Sequence, residues 1–454
     1  MLSFVKNIVR SKPGSVTIVA LLLIIPLALI ESKISERSQF HDKAVAEVSH
    51  SWTGAQTVMG PVMVIEYETV SEESYWSKTE EKFLTRTKYS DQTAILPMNQ
   101  LRIDARIDTQ KRYRGIHEVQ VYTSAVTLNG EYQPNELKRV LERQDFHQTR
   151  QIYLWINVSD QRGFADIPAL TWGSSRFQFS PGGHTLLQEH GLKVVLQTED
   201  VLEPILFESQ FSLKGTLLLN VVPTGRTTEL NLASAWPHPK FVGQYLPTTR
   251  TLDNGFSARW QITELATNIG RDLSNCATGK CDALLGNHFG VELIEPVDMY
   301  LMTERAVKYA LLFVGLVFAL VMAGEINRAV EVHPIQYLMI GVGLSIFYLL
   351  LVATSEHIKF EYAYVIATTM CSALLTYYGT HIFQSRSVGF GFGGVITMLF
   401  GLLFVVINAE DIALLLGTLI TFAVVTALMV VTRNIEQLRV FANGFWEQND
   451  SEPA

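Results

Sequence analysis

Trp236-Pro237-His238-Pro239 is the stretch of this sequence best built to hold a reactive side chain. Two prolines fix the backbone on either side of His238 and would present its imidazole in one pose to a ligand, a metal or a proton. The competing reading is a rigid corner ending a strand, with Trp236 packed inside. That reading is preferred, because no second ligand or nucleophile lies nearby. Glu356-His357 and the group Asn408, Glu410 and Asp411 close two apolar runs. Ionisable groups at a membrane suggest ion or substrate handling, although at the ends of runs hydration costs little and solvated loops are the default. His333-Pro334 and Glu325 occupy another connection, and His381 ends a further run. Cys276 and Cys281 lie five apart in the polar stretch NCATGKCD. A local disulfide is expected there if the stretch lies outside the cytoplasm, with two free thiols as the alternative.

Motifs of known chemistry are missing. There is no G-x-x-x-x-G-K-S/T, no H-E-x-x-H and no G-x-S-x-G. Gly389, Gly391, Gly393 and Gly394 imitate a phosphate loop, but they open an apolar run with no strand before it. Close helix packing explains them better. No catalytic residue, metal ligand or cofactor is assigned.

The elements that would position these residues divide sharply by solvent preference. The chain has 454 residues, 48% hydrophobic and 18% charged. Residues 301–454 carry only 7 basic and 11 acidic side chains, and residues 1–30 only Lys6, Arg10 and Lys12, which leaves 26 basic and 33 acidic residues in 31–300. The middle is charged like a soluble protein and the ends like lipid-facing material. Its net charge of −7 argues against a nucleic-acid surface.

A first apolar helix is expected over 13–32, preceded by a cytoplasmic stretch 1–12. Ile30-Glu31-Ser32-Lys33-Ile34 is a poor cleavage sequence, so an uncleaved anchor is preferred to a signal peptide. Five further runs of spanning length read 306–323, 335–354, 362–383, 388–407 and 412–431, a bundle over 303–432 with a tail at 433–454. Lys6, Arg10 and Lys12, then Arg328, Arg386, Arg433 and Arg439, fall on one side of these six spans, which puts both termini inside and 33–302 outside.

That outer block opens with a helical stalk over 31–52 and turns at Gly60-Pro61. It then shows strand alternation at 101–107, 119–121, 152–158, 216–222, 228–233 and 256–262, with a helix at 134–143. Asn129-Gly130, Pro181-Gly182-Gly183 and Pro223-Thr224-Gly225 read as turns. The expected fold is an α+β membrane protein with a large, β-rich, sandwich-like outer domain.

Several strings together resemble one family, the inner membrane protein CreD. They are Ser234 to Pro239 continuing through Phe241, Gly243, Leu246 and Pro247; Thr303, Arg305-Ala306 and Lys308-Tyr309; His333-Pro334, Gln336 to Leu338, Gly341, Phe347 to Leu351 and Ser355 to His357; and Ala413 to Gly417 with Thr432 to Asn434. The Cys276/Cys281 pair is not part of that pattern. The resemblance implies a bacterial inner membrane, a periplasmic location for the outer domain and a role in cell-envelope integrity. It also implies membership of the regulon of the Cre two-component system and a link to colicin tolerance. It implies no reaction and no cofactor.

The partners expected are the lipid bilayer and a periplasmic protein or envelope component. The competing function is a transporter or permease-like protein that uses the five-helix bundle. An enzyme built on His238 is the weakest reading.

Overall fold

The computed structural model describes residues 12–79, 81–182, 191–294, 299–328, 330–409, 415–419, 422 and 426. The chain divides into two units, one formed by 1–42 and 297–454 and the other by 43–296.

The chain enters through α1 (Lys12–Leu22) and α2 (Ile24–Ser51). The strands that follow are β1 (Gln56–Ser77), β2 (Lys82–Leu96), β3 (Met98–Arg114) and β4 (His117–Tyr132). A short helix α3 (Asn135–Leu141) separates these from β5 (Phe146–Val158). Next come β6 (Ala169–Trp172), β7 (Ser175–Gln178), β8 (Ser180–Pro181), β9 (Leu192–Leu196) and β10 (Ile205–Thr216). They are followed by β11 (Leu218–Val222), β12 (Gly225–Ser234), β13 (Pro239–Gly243), β14 (Thr249–Thr251) and β15 (Phe256–Thr263). Three short helices, α4 (Glu264–Thr267), α5 (Ile269–Cys276) and α6 (Asp282–Gly286), lead to β16 (Phe289–Leu293).

These strands form two eight-stranded sheets among the described residues. The first runs β13-β16-β11-β1-β5-β9-β8, with β2 also paired to β1, and the second runs β14-β15-β12-β3-β4-β10-β6-β7. The alternation of Leu101, Ile103, Ala105 and Ile107 with charged neighbours turns one face of β3 inward, and Phe256, Ala258, Trp260 and Ile262 do the same for β15. They meet Met63, Ile65, Leu154 and Ile156 of the first sheet in one core. On the opposite face of the first sheet, Val62, Val64, Ile95 and Trp155 are covered by Ile269, Leu273 and Leu284 of α5 and α6. A disulfide joins Cys276 to Cys281 in that cover.

Two expected turns are strand instead. Gly60-Pro61 lies inside β1, at the shift of register where β1 exchanges β11 for β2 as a neighbour. Proline lacks an N–H, so it is tolerated where a ladder is already interrupted. Asn129-Gly130 lies inside β4, where a Cβ on Gly130 would come within 2.4 Å of the Phe207 ring across the strand pair. That glycine serves close approach and makes no turn. The helix expected over 134–143 is α3, and Pro223-Thr224 links β11 of the first sheet to β12 of the second, which Gly225 opens.

The end of α2 is fastened to this domain. Trp52 sits between Arg112 and Lys214, with ring distances of 4.7 and 5.1 Å. Asp160 accepts from the Gly54 N–H at 3.2 Å and from Arg162 Nε at 2.9 Å, and Arg162 reaches the His50 carbonyl at 2.6 Å. The hydrogen bonds from Arg162 hold the Asp160 carboxyl below its ordinary pKa, burial opposes them, and the N–H groups of Gly54 and Arg162 add to the lowering.

The other unit continues with α7 (Met299–Lys308), α8 (Ala310–Arg328), α9 (Pro334–Ser355), α10 (Phe360–Ile382) and α11 (Arg386–Asn408). Among the described residues, three helical stretches are long and apolar enough to cross a membrane: Gly14–Ser51, Pro334–Ser355 and Arg386–Asn408. A fourth is the pair Met299–Lys308 and Ala310–Glu325, bent by 45°. The run read at 306–323 is therefore a bent pair. The run at 362–383 is helical but carries enough Thr, Tyr and Ser to fall short in hydropathy. Most of the run at 412–431, and the tail at 433–454, lie outside the described residues.

Glycines decide how these helices meet. A Cβ on Gly341 would stand 2.0 Å from Leu23 Cδ1, one on Gly393 would stand 1.8 Å from Thr376 Oγ1, and Gly389 abuts Thr380. Gly391 and Gly394 face open space. The phosphate-loop look-alike is thus a four-residue packing repeat on one side of α11.

Two outcomes follow from this arrangement. Gly393→Leu should destabilise the detergent-solubilised protein by about 1–3 kcal/mol, as overpacking does, while Gly394→Leu leaves the thermal midpoint near wild type. The depressed Asp160 pKa contributes stability that is fully present above the unfolded carboxyl value of about 3.9 and is lost as pH falls through the folded value. Asp160→Asn should therefore lower the thermal midpoint at pH 7, and the gap from wild type should close below about pH 4.

Candidate functional site

Trp236-Pro237-His238-Pro239 carries the chain from β12 in the second sheet to β13 in the first. Trp236 Nε1 donates to the Ile294 carbonyl at 3.1 Å, its backbone N–H donates to Ser234 Oγ at 3.1 Å, and its ring packs on the domain core. His238 is exposed and stands edge-on to the Trp236 ring, 6.4 Å away. Pro237 lies between the two strands and Pro239 opens β13, and among the described residues nothing converges on the imidazole to make a nucleophile or a metal ligand of it.

His333 is a helix cap. Its Nδ1 accepts from the Ile335 N–H at 3.3 Å, and its own N–H donates to Gln336 Oε1 at 2.9 Å, with Pro334 as the first helical residue of α9. Beside it, buried Glu325 accepts from the Val332 N–H at 2.9 Å and the Tyr337 hydroxyl at 3.0 Å. This carboxylate pins the connection between α8 and α9 to the start of α9.

Glu356 and His357 follow α9, and the Glu356 side chain meets a partner on another element. Its carboxylate faces Arg37 of α2, with Nε 3.5 Å from Oε1. The Glu356 side chain is 10% exposed and that of Arg37 is 47% exposed. The pair joins α2 to the connection between α9 and α10, and one charge of it is largely shielded from water. Asn408 ends α11 and donates to the Phe404 carbonyl at 2.9 Å. Glu410 and Asp411 lie outside the described residues.

The candidate residues are therefore scattered through both units. Among the described residues, no three His, Cys, Asp or Glu side chains come together as a metal site. Aromatic rings pack against one another inside the helical unit. Phe347 lies 4.2 Å from Phe400 and 5.4 Å from Tyr364, and the Tyr364 hydroxyl donates to the Phe400 carbonyl at 2.7 Å.

Two charged groupings escaped sequence reasoning. Asp160 and Arg162 meet the end of α2 from more than a hundred residues away. Arg226, at the start of β12, is held between Glu136 of α3 and Glu264 of α4. Burial opposes the charge on Arg226 and the two carboxylates more than offset it, so its pKa lies above the ordinary guanidinium value. No local pattern marks residues brought together by folding.

A family model described as inner membrane protein CreD matches residues 9–437. The chain belongs to the CreD family. Inner membrane protein CreD of Escherichia coli (strain K12) is 33% identical to it over 420 residues, covering 92% of this chain and 91% of that relative. The match takes in α1, the β domain and the C-terminal helices, so membership of this inner membrane protein family rests on both units of the chain.

The Arg37–Glu356 contact makes a direct prediction. Glu356→Arg and Arg37→Glu should each lower the thermal midpoint of the protein in detergent, and the double exchange should recover most of the loss. Failure of the double variant to recover would mean that Glu356 does something other than face Arg37.

Proposed function

We propose that this CreD-family protein is a non-enzymatic envelope protein whose 43–296 domain lies in the periplasm. There it would touch a partner protein or an envelope component and so support envelope integrity under stress, colicin exposure included. The helical unit would serve as anchor and relay.

The observation that carries this reading is a projecting ribbon. β1 loses its pairing with β5 after Thr69, yet β1 and β2 continue as a pair out to Ser77 and Lys82. The seven residues from Ser71 to Ser77 give this two-stranded ribbon a reach of roughly 20 Å. Trp76 is 52% exposed and Phe83 is 71% exposed, and they meet edge to face at 5.1 Å near its end. Glu73 and Arg86 pair at 2.7 Å along its side. A two-stranded ribbon is marginal in water by itself, and large exposed aromatic side chains are what contact surfaces use.

The proposed orientation rests on the basic residues Lys6, Arg10, Lys12, Arg328 and Arg386 on one side of the helices. The Cys276–Cys281 disulfide supports it, because such bonds persist in oxidising compartments. For six spans, α10 must cross. Its 23 residues would cover about 34 Å at 1.5 Å each, and it lies between α9 and α11 with short connections to both. The packing of Phe347 against Tyr364 and Phe400 favours an anchor over a conducting path.

A photo-crosslinking residue placed at Trp76 or Phe83 in intact cells should trap a reproducible species. The same residue at Leu265, exposed on α4, should not. A blank from both ribbon positions at full expression would remove the ribbon as the contact.

A further inference from the structure

A polar cavity of about 300 Å³ opens in the 43–296 domain where the chain crosses from β2 to β3 at Pro97. Asn99, Gln133, Asn135, Glu136, Arg139 and Arg226 line it. They come from the start of β3, the end of β4, α3 and the start of β12. The volume is at the small end of ligand sites and fits one ring-sized solute.

The wall has spare hydrogen-bonding capacity of a definite kind. Arg226 is occupied by Glu136 and Glu264, and the Gln133 amide donates to Glu131. The side chains of Asn99, Asn135 and Arg139 have no hydrogen bond or ion pair to any described residue. The cavity thus offers one guanidinium fork and two carboxamides, each of which both donates and accepts.

Three ligand classes are disfavoured by this chemistry. An apolar solute would gain no hydrogen bond from Asn99 or from the exposed Asn135 and Arg139. An amine would need a carboxylate, and Arg226 already holds Glu136. A phosphate monoester brings close to two negative charges, and one uncommitted cation beside Glu136 matches a single charge better. A carboxylate answers the fork of Arg139 with two parallel hydrogen bonds. Hydroxyl groups, which donate and accept, answer Asn99 and Asn135.

We propose that this cavity binds a small polyhydroxylated carboxylate of sugar-acid size, with Arg139 on the carboxylate and Asn99 and Asn135 on the hydroxyls. The assignment rests on the periplasmic reading above only for where such a solute would come from.

The test is calorimetric titration of the full chain in detergent with D-glucuronate, D-glucose and inorganic phosphate. Glucuronate should bind saturably, and both other probes should bind about tenfold more weakly or worse, as expected for loss of a charge-assisted pair or of matching hydroxyls. Arg139→Ala should weaken glucuronate about tenfold or more at an unchanged thermal midpoint, with Asn99→Ala giving a smaller loss. Absence of saturation by glucuronate, equal or tighter binding of phosphate, or wild-type affinity in Arg139→Ala would each overturn the proposal. Crosslinking from Trp76 or Phe83 does not involve this cavity, so failure here leaves the ribbon reading standing, and the reverse also holds.

Discussion

The mutual burial of the inward faces of the two β-sheets is the interaction on which the rest of the 43–296 domain depends. Each large apolar side chain removed from water there contributes about 2 kcal/mol, and the core draws on nearly every strand, from Val58 and Met63 in β1 to Val291 and Leu293 in β16. Because the strands alternate, inward burial fixes the register of the opposite faces. It therefore decides where Trp155 meets the cover of α5 and α6, and where β1 and β2 run on as a ribbon. It also sets α3 against the start of β12, which creates the cavity around Arg139.

The sandwich is woven from a chain that repeatedly leaves one sheet for the other, and proline marks most of these crossings. Pro97 separates β2 from β3, Pro134 lies between β4 and β5, and Pro168 lies between β5 and β6. Pro204 precedes β10, Pro223 precedes β12, Pro237 and Pro239 bring the chain to β13, and Pro247 precedes β14. The hairpins that stay within one sheet, β1–β2, β3–β4 and β14–β15, turn without proline. A residue without an N–H cannot continue a ladder, so it costs least where the ladder must end. On this view His238 lies in one crossing among several, and its fixed pose follows from strand topology.

The helical unit obeys a different constraint. In lipid, association depends on close packing because the surrounding chains are as apolar as the helices. Gly341 against Leu23, and Gly389 and Gly393 against Thr380 and Thr376, supply that closeness. Several polar side chains cap and tether, as in His333 with Gln336, Glu325 with Tyr337 and Arg37 with Glu356. Of these, His333, Glu325 and Glu356 looked functional in the sequence because polar groups at the ends of apolar runs stand out, whatever their task.

The sequence by itself determined the split between apolar ends and a charged middle, the helix over 31–52, strands such as 101–107 and 256–262, and the family. Each is written locally, as hydropathy, as a period of two or 3.6, or as a string of residues in order. Two turn assignments failed, at Gly60-Pro61 and Asn129-Gly130, because glycine and proline also serve bulges and close approaches whose need arises only from a neighbouring strand. Only the tertiary structure decided which charges meet. Arg226 joins Glu136 from 90 residues away and Glu264 from 38, and Arg162 reaches His50 across 112. Contacts at such separations are chosen by how the sheets stack, and no local pattern of residues encodes that stacking.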